Sequence, residues 1–167
     1  IEIISKIASK LNNFTFHLYG DVKSLSSKYK FLLNSKNILF KGAANYKEIP
    51  KILSQYHIVL MPYQKSVSVR SENLDVGLNM SPLKMFDYLA SGKIILASDL
   101  EVYKHILKNN FNSILIDPDD IEKWVTNLKH ISKYIDNYKE LEKNSLKTSK
   151  IFSWNNRVVR IEKFNIS

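Results

Sequence analysis

A chain of 167 residues, 44% hydrophobic and 25% charged, suits one soluble globular domain with its own core. The absence of cysteine excludes disulfides, thiolate nucleophiles and thiolate metal sites, and no apolar run approaches the roughly 20 residues that cross a bilayer. A formal net charge of +9 favours anionic partners such as nucleotide phosphates, lipid headgroups or nucleic acid, although lysines scattered among Asn and Ile along the whole chain also follow from compositional bias alone.

The first residue is Ile, and Ile3, Ile4, Ile7, Ala8 and Leu11 recur at helical spacing, so a helix is expected at once and the chain is expected to start inside a fold. Apolar runs rich in β-branched and aromatic residues predict buried strands at Phe14–Tyr19, Ile38–Phe40 and Ile58–Met61. Ile49, Ile52, Leu53 and Tyr56 mark a helix before the third of them. A long polar stretch runs from Pro62 to Ser81, and loops of that length are usually functional or disordered. Ser81 as N-cap, Pro82 at the first helical position and Gly92 just past the end delimit a short helix with Leu83, Phe86, Leu89 and Ala90 on its apolar side. Strands follow at Ile94–Ala97 and Ser113–Ile116. Asp119, with Glu122 three residues on, predicts a capped helix through Trp124, Val125 and Leu128, and a last helical segment is expected from Trp154 to Phe164. Buried strands alternating with helical crossovers indicate an α/β, Rossmann-like, doubly wound parallel sheet with helices on both faces.

In such a sheet ligands bind outside the carboxyl ends of the strands. This rule selects Gly20 and Asp21, Lys41 and Gly42, Pro62 and Tyr63, and Ser98 and Asp99. Gly20 and Gly42 would let backbone approach a ligand, or simply permit turns. The helix opening at Ser81 would aim bare amides and its positive end into the crevice, where a pyrophosphate is stabilised, with Lys84 adding a charge. Asp87 lies three residues beyond Lys84 on the same face, placed to accept both hydroxyls of a ribose diol. The alternative is a local Lys84–Asp87 surface pair.

Other chemistry finds little footing. His17, His57, His105 and His130 have no metal-ligand spacing and read as structural. Four glycines provide no dinucleotide fingerprint or phosphate loop, and there is no Gly-x-Ser-x-Gly elbow. Basic and aromatic residues around Tyr134, Tyr138 and Lys139, and around Trp154, Arg157 and Arg160, fit a packed amphipathic face better than an RNA or membrane contact.

With these residues in view, the chain resembles the C-terminal domain of the family 4 (group 1) glycosyltransferases, one half of the two-Rossmann-domain GT-B fold. The resemblance runs through Tyr46–Pro50, Ile58–Pro62, the segment Ser81-Pro82-Leu83-Lys84-Met85-Phe86-Asp87-Tyr88-Leu89-Ala90-Ser91-Gly92-Lys93, Asp99–Asp120, with Asn110–Ser113 as the turn before a strand, and Phe152–Trp154. It implies a single nucleotide-sugar-binding domain over residues 1–167, with the family's first strand lying before Ile1. It also implies retaining transfer of a hexose from a UDP- or GDP-linked donor to a polysaccharide, glycan or lipid acceptor, without metal or other cofactor. The backbone of Ser81, Pro82, Leu83 and Lys84 falls where the family grips the donor phosphates, Pro82 itself bringing no N–H. Asp87 and Asn79 fall at the family's paired Glu positions, for ribose and donor sugar, and Gly42 and Tyr63 fall near the nucleobase and sugar walls; Gly20 joins the donor-binding set from its strand-end place. Asp is one methylene shorter than Glu, and Asn79 carries no charge.

The Arg and Lys that neutralise the leaving diphosphate in this family are not matched here, nor is the acceptor-binding domain. No catalytic residue is therefore assigned, and little or no turnover is expected of these 167 residues alone. The expected partners are the donor and that acceptor domain. The expected place is the cytoplasm, with peripheral contact at the inner face of the membrane. The competing readings are a non-catalytic scaffold of the same fold, favoured by the altered Glu positions, a nucleotide-sugar epimerase and, more distantly, an RNA-binding domain.

Overall fold

A computed structural model describes residues 1–65, 83–153, 155–156, 158–159 and 162. Among them five α-helices and five strands follow in the order α1 (Glu2–Lys10), β1 (Phe16–Leu18), β2 (Ile38–Phe40), α2 (Ile49–Ser54), β3 (Ile58–Met61), α3 (Leu83–Ser91), β4 (Ile94–Ser98), β5 (Ile114–Ile116), α4 (Ile121–Lys133) and α5 (Lys139–Ile151), with short 3-10 turns in several of the connections. β1 and β2 pair in parallel with Phe16 opposite Ile38 and Leu18 opposite Phe40. β3, β4 and β5 form a second parallel set with Ile58 opposite Ile94 and Leu96 opposite Ile114. The strands share one direction because each connection carries a helix or helical turn, the length a parallel return requires.

All five residues of β4 are buried. Its period-two alternation divides the core: Ile94 and Leu96 join the cluster under α1 and α4, whereas Ile95 and Ala97 join the cluster under α2 and α3. α1 buries Ile3, Ile4, Ile7 and Ala8, the spacing expected from sequence, and packs on α4. Trp124 of α4 is fully buried and donates its indole N–H to the Asp117 carbonyl at 3.2 Å.

Three expectations are corrected. The first strand is shorter than Phe14–Tyr19, because Phe14 turns its amide back to the Leu11 carbonyl at 3.1 Å and pairing lasts only as long as β2 lasts. The α4 cap is Asp120, whose side chain accepts from the Lys123 amide, rather than Asp119. Asp119 instead gives its N–H to the Asp117 side chain at 2.9 Å and its carboxylate to Lys65 at 2.8 Å. Glu122 pairs with Lys10 and does not close a capping box. Finally, α3 buries Met85 and Leu89, one turn apart, and leaves Leu83 and Ala90 exposed. The expected segment from Trp154 to Phe164 lies largely outside the described residues.

Gly92 does end α3 with φ +63°, and its amide reaches the Leu89 carbonyl at 3.2 Å. The turn Asn110–Ser113 precedes β5. Asn110 holds φ +59°, and buried Asn112 bonds the Lys108 amide at 2.7 Å, the Ile106 carbonyl at 2.9 Å and Thr148 of α5 at 3.0 Å.

Candidate functional site

Facing edges of β1 and β3 bound a cleft of about 630 Å³, roofed by Ile49, Ile52, Leu53 and Tyr56 of the α2 region. It runs the length of both strands, from Thr15 to Gly20 on one wall and from Ile58 to Tyr63 on the other. Its mouth lies at the carboxyl ends, where α3 contributes Lys84, Asp87 and Tyr88.

Of the sequence-predicted residues, Gly20, Tyr63, Lys84 and Asp87 are brought together here. Gly42 stands just behind, at φ +76°, its carbonyl accepting the Gly20 N–H at 2.9 Å, and the next residues, Ala43 and Ala44, reach the cleft in its place. Leu83 is 80% exposed and does not line the cleft. Asn79, Ser81 and Pro82 lie outside the described residues, and with them most of the expected phosphate grip.

Asp87 is half-buried, and desolvation pushes its pKa above the usual aspartate value. No hydrogen-bond or ion-pair partner engages its carboxylate among the described residues, so the local pair with Lys84 is not formed. Lys84 instead places its ammonium 6.0 Å from the centroid of the Tyr63 ring, at the outer limit of a cation–π contact. Tyr63 is held by its backbone: buried Ser98, at the end of β4, donates its hydroxyl to the Tyr63 carbonyl at 2.6 Å. The Tyr63 ring meets Tyr103 edge-on at 6.2 Å. The cleft mouth thus combines a carboxylate with no partner among the described residues, a cation and an aromatic face. That combination suits a ligand with hydroxyls, phosphate and a ring.

Sequence reasoning passed over a second group in the same cleft. Tyr56 bonds His17 Nδ1 at 2.6 Å and the Tyr19 hydroxyl at 2.9 Å, and burial with the Tyr19 bond pushes its pKa up to about 12. His17 is held below its usual value by desolvation and by Lys41. Tyr88, beside Asp87, is also pushed up to about 12, mainly by burial. His17 lies in β1 and Tyr56 between α2 and β3, 39 positions apart, so no local spacing could have joined them. His130 likewise takes a tyrosine partner, Tyr138, at 2.8 Å. Among the described residues no cluster of His, Asp and Glu could hold a metal ion, and no helix is long and apolar enough to cross a membrane.

Comparison with known proteins places this architecture. The chain is 28% identical over 100 residues to a Bacillus subtilis protein, TuaH, whose name assigns it as a glycosyltransferase of teichuronic acid biosynthesis; the match covers 59% of this chain and 23% of that protein. Among solved structures, a glycosyltransferase from Rickettsia africae superposes with a TM-score of 0.74 at 15% identity, over 99% of this chain and 44% of the other. Anabaena HepE, solved in complex with UDP-glucose, superposes with a TM-score of 0.63 at 13% identity, over 87% of this chain and 39% of the other. The chain therefore spans less than half of each of these relatives, and at such identities the superpositions show a shared fold: the Rossmann-like α/β architecture of GT-B glycosyltransferases. The family described as Glycosyl transferases group 1 matches over residues 1–148, nearly the whole sequence, and the chain belongs to that family.

Proposed function

We propose that this chain is the donor-binding half of a retaining glycosyltransferase, which holds a UDP- or GDP-linked hexose at the carboxyl ends of β1 and β3. The observation that carries the reading is Asp87, a half-buried carboxylate in the cleft mouth with no partner among the described residues. A carboxylate kept there at a desolvation cost is ready to accept the two hydroxyls of a ribose, and Lys84, one helical turn away, supplies positive charge for the adjoining diphosphate. Tyr63 offers an aromatic face to the base or sugar, and Gly20 keeps a side chain out of the way. Support also comes from Anabaena HepE, a protein of the same fold solved with UDP-glucose.

Transfer would draw its rate from charge stabilisation on the departing diphosphate, and no metal or other cofactor is invoked. The acceptor, a polysaccharide, glycan or lipid of the cell envelope, would be bound by a further domain. The teichuronic acid assignment of TuaH fits that direction. A net charge of +9 suits work in the cytoplasm beside an anionic inner membrane face.

Calorimetric titration of the chain with UDP, GDP and ADP tests the reading. One of the three should bind, and Asp87→Asn should weaken it by about tenfold to a hundredfold, the worth of a hydrogen bond to a charged group. Binding of none, as a scaffold would show, or equal binding by the variant, removes the proposal.

A further inference from the structure

The 16 Asp and Glu of the chain average about one in ten positions, yet residues 22–47 contain none. The same stretch carries six lysines: Lys23, Lys28, Lys30, Lys36, Lys41 and Lys47. A compositional bias toward Lys, Asn and Ile raises lysine everywhere, but it does not clear the acids from one stretch. All six lysines are exposed. Every ion pair among the described residues is made by other lysines, so these six charges stand uncompensated by a salt bridge.

The fold gathers this stretch around β2. Among the described residues β2 pairs with β1 alone, which leaves its outer edge free. Lys36 and Lys41 flank the strand. The 3-10 helix Ser27–Asn34 packs against β2 and turns Leu32 into the core, so its neighbours Phe31 and Leu33 face outward, Phe31 at 62% exposure. Ile38 of β2 enters the same core, and by alternation Leu39 is exposed on the opposite face of the strand. Tyr46, 76% exposed, opens the next 3-10 turn beside Lys47. Large apolar and aromatic side chains therefore interleave with lysines on the outside of one sheet edge.

Lysines beside an edge strand also keep it from pairing with another copy of the chain. That protection asks nothing of Phe31, Leu33 or Tyr46, and a second copy docked by this edge would set six lysines against six. A hydrated polyanion would satisfy the lysines and leave the apolar side chains in water. An anionic bilayer accommodates both. The ammonium groups meet headgroup phosphates while their alkyl stems, with Phe31 and Leu33, enter the acyl boundary, and tyrosine is at home at headgroup level.

We propose that the outer edge of β2, with the 3-10 helix before it and Tyr46 after it, docks on an anionic lipid surface. The strand also leads to the donor cleft, since Lys41 and Gly42 run on into Ala43 and Ala44, which line it. Docking therefore holds that part of the cleft close to the bilayer, where a lipid acceptor would be met. This surface takes up the membrane setting proposed above but needs no nucleotide, so failure of vesicle binding and failure of nucleotide binding are separate results.

Cosedimentation of the chain with mixed phosphatidylcholine and phosphatidylglycerol vesicles, against phosphatidylcholine alone, is the test. The mixed vesicles should bind the chain, the neutral ones should not, and binding should fall as salt is added. Lys30→Gln, Lys36→Gln and Lys47→Gln combined should weaken binding by about a hundredfold, at about fivefold for each lysine at the surface. The same loss of charge on α5, through Lys143→Gln, Lys147→Gln and Lys150→Gln, should leave binding within about threefold. Phe31→Ser should weaken it by about tenfold with every lysine in place. All of these side chains are exposed, and thermal melts check that the variants fold alike. Absence of binding to the mixed vesicles, or equal losses from the two lysine triples, overturns the proposal. So does unchanged vesicle binding by Phe31→Ser, and polyuridylate bound equally by that variant and the parent would then make a polyanion the occupant.

Discussion

Asp87 titrates in a direction that can be read in stability. Its folded pKa lies above the unfolded value, so ionisation costs more in the native state, and stability falls as pH rises from the ordinary aspartate range through the raised value. Asp87→Asn should remove that fall, leaving the variant as stable as the parent at low pH and more stable at neutral pH by thermal melts, even as it loses nucleotide. A group kept for binding at the expense of stability behaves this way; a structural carboxylate would not. Ser98 presents the opposite case. Its hydroxyl is fully buried and satisfied by the Tyr63 carbonyl, so Ser98→Ala should cost about 1 kcal/mol in denaturant unfolding and loosen the strand end that presents Tyr63. Glu2 accepts from Lys6, Tyr29 and Gln64, which holds its pKa down to about 2. A depressed carboxylate stabilises above its unfolded value and loses that contribution as pH falls toward 2. Glu2→Gln should therefore flatten the acid branch of the melting curve.

At the scale of elements, caps and close approaches decide. Gly92 ends α3 in the left-handed region, and a Cβ there would also come within 2.8 Å of Leu146 on α5. Gly92→Ala should cost about 1–2 kcal/mol, chiefly through backbone conformation, since the half-exposed Leu146 side chain can move. Trp124 anchors α4 against the sheet, and Trp124→Ala should cost about 3–5 kcal/mol in urea unfolding. Local chemistry made Gly92 and the apolar stripe of α1 legible from sequence. It misplaced the cap of α4 because Asp117, Asp119 and Asp120 are equivalent as local capping groups. Lys65, 52 positions before Asp117, engages Asp117 and Asp119 and leaves Asp120 to cap. The phase of α3 was misread for a similar reason: Met85 and Leu83 are equally apolar, and only packing against α2 and β4 selects the one that is buried.

For the whole molecule, family membership and a share below half of each relative's length bear on activity. The chain alone, given UDP-glucose and a glycan acceptor, should release UDP no faster than buffer, because among the described residues Lys84 is the one cationic side chain that lines the cleft, short of a pair for the leaving group. Sugar transfer at ordinary enzymatic rates would contradict this.

Strand and helix identities, their parallel arrangement and the strand ends that border the cleft all follow from hydrophobic periodicity and turn residues, which act over a few neighbours and are written into the order of amino acids. The meeting of Tyr56 with His17, the hold of Ser98 on Tyr63, the separation of Lys84 from Asp87 and the cleft between β1 and β3 were decided only by tertiary structure. Each depends on distances between segments remote in sequence, and packing sets those distances through the fit of surfaces that no local pattern encodes.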